Sequence, residues 1–163
     1  MKQSIKKLAI AAAMLLASVG PTFASPVNAE ETAVRGQMQH WLDAYNSKDI
    51  DALLSLYSDK IYFANNGNSL KLGIEEIRRN FAPQFTDNPN TSIDFSEEYL
   101  TVGATLAHIA GKYRVSIPQD AGQTLYAYGR VLLIFEKENG QWKLIVDFDN
   151  SGNDIAATDF NRN

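Results

Sequence analysis

The sequence contains no cysteine among its 163 residues and only two histidines. The absence of thiols excludes a disulfide framework, thiolate metal ligands, a cysteine nucleophile and a lipid-modified cysteine. A zinc site would need both histidines together with carboxylates, so we expect neither a metal nor a cofactor. The folded chain must therefore be stabilised by its apolar core without covalent cross-links.

A hydrophobic run long enough to span a bilayer, about 20 residues, is also missing. The apolar run Leu8–Val19 follows a start that carries three lysines and no acid. Such a pattern, with small residues after it, is typical of a cleavable secretory signal peptide. Ala24 and Ala29 each fit the last position before cleavage, and Ala29 is preferred because an acidic, helix-like segment follows it. The sequence thus predicts a leader over residues 1–29 and a periplasmic or secreted protein with no membrane anchor after cleavage.

Basic charge is scarce in the part of the chain that would remain. Three of the 15 Lys and Arg residues leave with the leader, so about 134 residues keep 12 basic against 19 acidic side chains. An acidic chain without a basic stripe cannot neutralise phosphates, which argues against a nucleic-acid partner. The length suits one domain with one core, and we place it at residues 30–150, followed by a polar and frayed tail over 151–163.

The order of the remaining patterns predicts an α+β fold. Apolar residues at helical spacing mark three helices. These residues are Val34, Met38, Trp41, Leu42 and Tyr45, then Ile50, Leu53, Leu54 and Tyr57, then Ile74, Ile77, Phe81 and Phe85. Asp49 is the expected cap of the second helix, and Gly73 separates the third helix from what precedes it. Strand patterns cover residues 61–64, 69–72, 92–95, 99–102, 106–118, 125–135 and 141–148. Helices followed by antiparallel strands indicate a curved sheet with helices on one face.

The last predicted strand ends in two acidic residues. Simple alternation groups Trp142, Leu144, Val146 and Phe148 on one face and Lys143, Ile145, Asp147 and Asp149 on the other. Which face is the core stays open. On one face, two residues apart, the carboxylates of Asp147 and Asp149 would lie about 6–7 Å from each other. The segment that starts here also echoes a calcium loop, but position twelve is Thr158 where glutamate is required, so no metal is predicted.

Four segments in order resemble the nuclear transport factor 2-like superfamily, and its SnoaL-like (polyketide-cyclase-like) branch in particular. They are WLDAYNSKDIDALLSLY at 41–57, NGNSLKLGIEEIRRNF at 66–81, LAHIAGKY at 106–113 and YGRVLLIFEKENGQWKLIVDFDNS at 128–151. The resemblance implies a cone-shaped antiparallel sheet packed by three N-terminal helices, a pocket between them, and dimerisation through the sheet. It leaves function open, because this fold hosts isomerases, dehydratases, cyclases and binding modules.

Transfer of the ketosteroid isomerase machinery of this superfamily fails residue by residue. Trp41 replaces the tyrosine of the first helix, Asn65 stands near the position of the base, and 131–133 is apolar where a further acid is needed. Acid–base chemistry would have to use Asp147, Asp149 or His108 instead. An enzyme of the lyase, isomerase or cyclase type is therefore one hypothesis.

The preferred hypothesis is a small-molecule-binding domain with an aromatic-lined pocket for an apolar or aromatic ligand. Its candidate ligand-binding residues are Trp41, Tyr45, Tyr57, Phe63, Asn65, Phe81, Tyr113, Tyr128 and Arg130. Among these, Arg130 would either meet a ligand carboxylate in bidentate fashion or pair with a neighbouring Glu or Asp. A third hypothesis is a dimeric interaction module whose sheet face pairs with a second copy.

Overall fold

A computed structural model describes residues 26–160 and confirms the α+β class. Three helices and six strands follow each other in the order α1 Pro26–Ser47, α2 Ile50–Ser55, β1 Tyr57–Ala64, β2 Lys71–Leu72, α3 Ile74–Asp87, β3 Ser92–Val102, β4 Leu106–Pro118, β5 Thr124–Glu138 and β6 Gln141–Ser151. The predicted leader lies outside the described residues, apart from its last four, which begin α1. Within 26–160, no helix has the length and apolarity needed to cross a membrane.

The six strands form one curved sheet in the order β2-β1-β6-β5-β4-β3. The pairing of β1 with β6 is parallel, and every other neighbouring pair is antiparallel. One face of the sheet packs against the helices and carries the core, and we call it the inner face. The last strand, β6, lies in the middle of the sheet because it pairs with β1 on one side and with β5 on the other.

The helices form where their apolar stripes predict. Val34, Met38, Leu42 and Tyr45 are buried along α1, and Trp41 is partly buried. The Asp49 side chain accepts the backbone N–H of Ala52 at 2.9 Å and so caps α2, as predicted.

The prediction that Tyr57 belongs to the second helix is wrong. This helix ends at Ser55, and Tyr57 opens β1 opposite Leu144 of β6. A pairing with a strand about 90 residues away therefore overrides the helical spacing of the sequence.

The third predicted strand is longer than its sequence pattern indicates. The stretches 92–95 and 99–102 belong to a single strand, β3, whose pairing with β4 shifts by one residue between Glu97 and Tyr99. The charged residues in its middle do not end it, because Glu97 and Glu98 are exposed while the backbone pairs with β4. Glu97 also accepts the guanidinium of Arg35 from α1 at 2.9 Å. A bulge of this kind lets a strand continue while the residues beyond it point to the opposite faces of the sheet.

A second bulge, in β6, corrects the alternation drawn from the sequence. Phe135 of β5 lies opposite Leu144, whereas Ile134 lies opposite Val146, so Ile145 is the extra residue. Trp142 and Leu144 are buried, and after the bulge Asp147, not Val146, is the next buried residue. The grouping of Trp142 and Leu144 with Val146 and Phe148 is therefore wrong. The bulge turns both Asp147 and Asp149 to the inner face, because an inserted residue reverses the sides of everything beyond it.

The end of the chain is not frayed over the residues that the structure describes. Ile155 is buried, and a short 3₁₀ helix covers Ala157–Phe160. The carboxylate of Asp154 accepts both terminal nitrogens of Arg130 at 2.8 and 2.9 Å, and Asp159 accepts Lys112 at 2.7 Å. Two ion pairs and one buried side chain thus hold a segment whose polar composition predicted disorder. Residues 161–163 lie outside the described part.

Candidate functional site

A cavity of about 310 Å³ lies between the inner face of the sheet and the helices α1 and α3. Its walls are mainly apolar and aromatic, and two carboxyl groups lie on its floor. The lining residues are Met38, Trp41, Leu42, Tyr45, Phe63, Asn65, Asn66, Asn68, Asn80, Phe81, Gln84, Ile93, Phe95, Tyr113, Val115, Val131, Leu133, Asp147 and Asp149. A concave space with mainly apolar walls and a few convergent polar groups is the usual form of a small-molecule site.

Four rings from three elements form one wall of the cavity. Trp41 and Tyr45, one helical turn apart on α1, stack with ring centroids 5.3 Å apart and an interplanar angle of 14°. Phe81 of α3 meets Trp41 edge-on at 6.3 Å and Phe63 of β1 at 5.7 Å. Contacts of this geometry are worth about 0.5–1.5 kcal/mol each beyond the area that they bury. The wall is therefore built into the core and holds its shape without a ligand.

Asp147 is the buried acid of the site, with 5 % of its surface exposed. The Trp41 indole N–H donates to the hydroxyl of Tyr57 at 2.7 Å, and that hydroxyl donates to Oδ2 of Asp147 at 3.1 Å. Burial, followed by the charge of Asp149, raises the pKa of Asp147 from 3.8 to about 7, while the Tyr57 hydrogen bond opposes that rise. Burial and the charge of Asp147 also raise the pKa of Tyr57 well above its ordinary value. The tyrosine thus stays a neutral donor, and the acid can hold or release a proton near neutrality.

Asp149 lies next to Asp147 and is held by the turn after β1. Asn65 donates its side-chain amide to Oδ2 of Asp149, and the backbone N–H of Asn66 donates to Oδ1 at 2.8 Å. The Tyr113 hydroxyl lies beside the same carboxyl, and burial together with the charges of Asp149 and Asp147 raises the pKa of Tyr113 to about 12. The two acids therefore differ in their surroundings, since Asp149 accepts two hydrogen bonds from the turn after β1, whereas the buried Asp147 can hold or release a proton near neutrality.

Most of the residues singled out from the sequence come together here. Eight line the cavity, namely Trp41, Tyr45, Phe63, Asn65, Phe81, Tyr113, Asp147 and Asp149. Tyr57 lies behind Asp147 and acts on the site through its hydrogen bond to that carboxyl.

Three of the predicted residues lie elsewhere. Tyr128 stacks with Tyr126 and lies tilted against Phe160, and Arg130 pairs with Asp154 and Glu98. His108 packs against Tyr99 at 5.3 Å. All three project from the outer face, because their registers in β4 and β5 alternate with those of the cavity-lining residues. The structure therefore gives Arg130 no access to a ligand in this cavity.

Sequence reasoning missed the polar rim and part of the apolar floor. The rim carries the amides Asn66, Asn68, Asn80 and Gln84, and the floor includes Val131 and Leu133 of β5. The signal for the rim was present in the run 65–68, which composition alone marks as a turn. Nothing local in β5 distinguishes its cavity-facing residues from its outward-facing ones.

A larger cleft of about 740 Å³ lies between α1 and β3, at the edge of the sheet. Its charged side chains already pair with each other or with neighbours. Arg35 pairs with Glu97, Asp94 with Arg114, and Asp159 with Lys112. Because these charges are satisfied, the smaller cavity with its buried acid is the better candidate site.

Residues 34–146 match the model of the SnoaL-like domain family. This match covers well over half of the chain. The protein belongs to the SnoaL-like domain family, within the nuclear transport factor 2-like superfamily that its sequence resembles. No curated protein matches the chain significantly.

Solved structures from several bacteria share the fold. A candidate dehydratase of the nuclear transport factor 2-like family from Streptomyces avermitilis superposes with a TM-score of 0.69 at 14 % identity, covering 77 % of this chain and 98 % of its own. A ketosteroid isomerase-like protein from Erwinia carotovora atroseptica gives 0.66 at 17 %, with coverages of 76 % and 97 %. A protein with a cystatin-like fold from Novosphingobium aromaticivorans gives 0.69 at 15 %, with coverages of 80 % and 87 %. At these identities the similarity establishes the fold and not the reaction.

Proposed function

We propose that this domain binds a small, largely apolar ring-containing molecule in the cavity between the sheet and α1 and α3. The observation that carries this proposal is the 310 Å³ cavity with an aromatic wall and a nearly buried acid on its floor. Asp147 is buried but accepts only one hydrogen bond from the residues that the structure describes, and burying a carboxyl in this way costs free energy. A buried acid of this kind in a cavity is typical of a functional site.

A matched pair of variants on β5 tests binding. Val131 lines the cavity, whereas the next residue, Leu132, is exposed on the outer face. Val131→Phe should fill the cavity and abolish the thermal shift or Trp41 fluorescence change produced by ring compounds, and Leu132→Phe should leave both intact. Binding that survives in Val131→Phe, or a flat response of the parent protein across a broad set of uncharged and charged ring compounds, would contradict the proposal.

A second candidate function is acid–base catalysis of the lyase, isomerase or cyclase type, with Asp147 as the proton carrier. The observation that favours it is the pKa of Asp147, raised to about 7 beside a neutral tyrosine donor. A general acid or base works best when its pKa lies near the working pH. Asp149, held by Asn65 and Asn66, lies close enough for its charge to raise the pKa of Asp147.

Deuterium exchange tests this chemistry without knowledge of the natural substrate. Cyclic ketones incubated with the protein in D₂O should exchange the protons next to the carbonyl, with a rate that rises through pH 7 as Asp147 becomes a base. Asp147→Asn should abolish the exchange and leave the fold intact, whereas Asp59→Asn, at an exposed position on β1, should not change it. Equal rates in the parent and Asp147→Asn would exclude Asp147 as the base.

We also propose that the protein is exported, on the strength of the leader pattern in its first 29 residues. We expect the mature chain to begin at Glu30 or Ser25. Either cleavage keeps the Glu30 carboxylate, which accepts Lys137 at 2.6 Å and Trp142 at 2.9 Å. Intact mass of the protein from periplasmic and culture fractions decides between them, and uncleaved protein confined to the cytoplasm would refute export.

The proposed dimer uses the outer face of the sheet. There Phe148 of β6 and Leu132 of β5 face each other in register and are 51 % and 39 % exposed, and Tyr99 of β3 lies in the same row. Exposed apolar rows of this kind mark interaction surfaces.

A further inference from the structure

The floor of the cavity presents an acceptor that the protein does not use. Oδ2 of Asp147 receives the Tyr57 hydroxyl, but among the described residues no donor reaches Oδ1. Asp147 has 5 % of its surface exposed and lines the cavity, so its free oxygen is available to an occupant. We propose that the cavity selects ligands carrying a protonated amine, or a similar cationic nitrogen, on an aromatic or alicyclic ring. This inference rests on the proposed binding function and adds the charge of the ligand to it.

The groups that face Asp147 support a cation over an anion. Asp149 approaches it along β6, Tyr57 from β1 and Tyr113 from β4, and each of these is either negative or a neutral hydroxyl. The lining residues of β5 and of the helices are apolar, aromatic or amide side chains, and none of the residues lining the cavity is basic. An ammonium group on the floor would meet two carboxyls, and because Asp147 is nearly buried, opposite charges attract more strongly there than in open water.

Two rings of the aromatic wall already lie beside lysine ammonium groups of the protein. The ammonium of Lys48 lies 4.5 Å from the centre of the Tyr45 ring, and that of Lys71 lies 5.7 Å from the centre of Phe63. Both lie outside the set of residues that line the cavity. The faces of aromatic rings attract cations through their quadrupoles, most strongly where water is excluded. Trp41, which stacks on Tyr45, offers the ring type that is best at this interaction.

The same features reject a carboxylate ligand. The cationic side chain that the sequence offered for such a ligand, Arg130, lies on the outer face and is paired with Asp154 and Glu98. An anionic ligand would therefore bring a third negative charge to Asp147 and Asp149, and no basic side chain among the described residues lines the cavity to pair with it. The cost of an unpaired buried charge makes this the least favourable class of occupant.

Three probes of one shape separate charge from shape. They are 1-naphthylmethylamine, 1-naphthylmethanol and 1-naphthoate, titrated into the full mature protein by isothermal calorimetry at pH 8 and pH 5.5. At pH 8 the amine should bind at least ~10-fold more tightly than the alcohol, and the carboxylate should bind most weakly. At pH 5.5 this advantage should shrink, because Asp147 holds its proton and loses its charge. Asp147→Asn should remove most of the advantage at pH 8, whereas Asp59→Asn should keep it.

The outcomes distinguish this inference from the function on which it rests. If the alcohol binds as tightly as the amine and Val131→Phe blocks both, the cavity is a binding site but the cation inference is wrong. An amine preference that persists unchanged in Asp147→Asn also refutes the inference, because the charge then comes from elsewhere. If none of the three probes binds, both the inference and the binding function for ring compounds of this size are refuted.

Discussion

Asp147→Asn should make the protein more stable, by an amount that grows with pH. Asparagine keeps the shape of the side chain and can still accept the Tyr57 hydroxyl, so the change removes mainly the ionisable group. In the parent protein the pKa of Asp147 rises from 3.8 to about 7 on folding. Complete ionisation in the folded state therefore costs about 4 kcal/mol of unfolding free energy, at ~1.4 kcal/mol per pKa unit.

The sign follows from proton binding. Between pH 3.8 and pH 7 the folded carboxyl holds a proton that the unfolded one has lost. The stability of the parent should consequently fall as the pH rises through this window and level off above it. The variant lacks this loss, so its advantage should grow by about 2–3 kcal/mol between pH 5 and pH 8. For a domain of this size that corresponds to roughly 8 °C in relative melting temperature.

Urea unfolding at five or six pH values, followed by far-UV circular dichroism, measures the difference. A difference in unfolding free energy that is the same at every pH reports altered packing. The quantity that tests the prediction is therefore the change of that difference with pH. Asp59→Asn, at an exposed position on β1, serves as the matched charge control and should run parallel to the parent. Parallel curves for Asp147→Asn and the parent would show that Asp147 titrates normally and would remove the basis for acid–base chemistry at this site.

The remaining predictions concern the wall, the floor and the outer face of the sheet. Gly129→Ala would place its new carbon 2.3 Å from the Tyr113 ring and should lower the free energy of urea unfolding by about 1–3 kcal/mol. The control Gly36→Ala meets no atom within 4 Å and should stabilise α1 by roughly 0.5–1 kcal/mol. If Gly129→Ala destabilised the protein less than Gly36→Ala, the close contact between Gly129 and Tyr113 would be wrong. Trp41→Phe removes the N–H donated to Tyr57 and should lower stability by about 1 kcal/mol, and an unchanged urea midpoint would refute that role. Phe148→Lys should give a monomer in sedimentation velocity at concentrations where the parent is dimeric, and a monomeric parent would refute the dimer.

Local patterns predicted the three helices, the order of the strands and eight of the residues that line the cavity. The stripe that includes Val34, Met38 and Tyr45 predicts both α1 and its buried side, because a helix repeats every 3.6 residues whatever it packs against. The same reasoning identified Trp41 and Phe81 as inward residues of α1 and α3. Helices that cover one face of a sheet bring such residues together, so eight predicted site residues share one cavity.

The sequence by itself determined the α+β class, the helix faces and the aromatic character of the cavity. Only the tertiary structure decided the sides of the strands, because a strand has no inside until its partners and bulges are known. The extra residue Ile145 turns Asp147 inward, and the register of β5 turns Arg130 outward to Asp154. The bulge and the strand register, which only the pairing of the strands reveals, decide that the cavity has an acid on its floor and no cation among its lining residues.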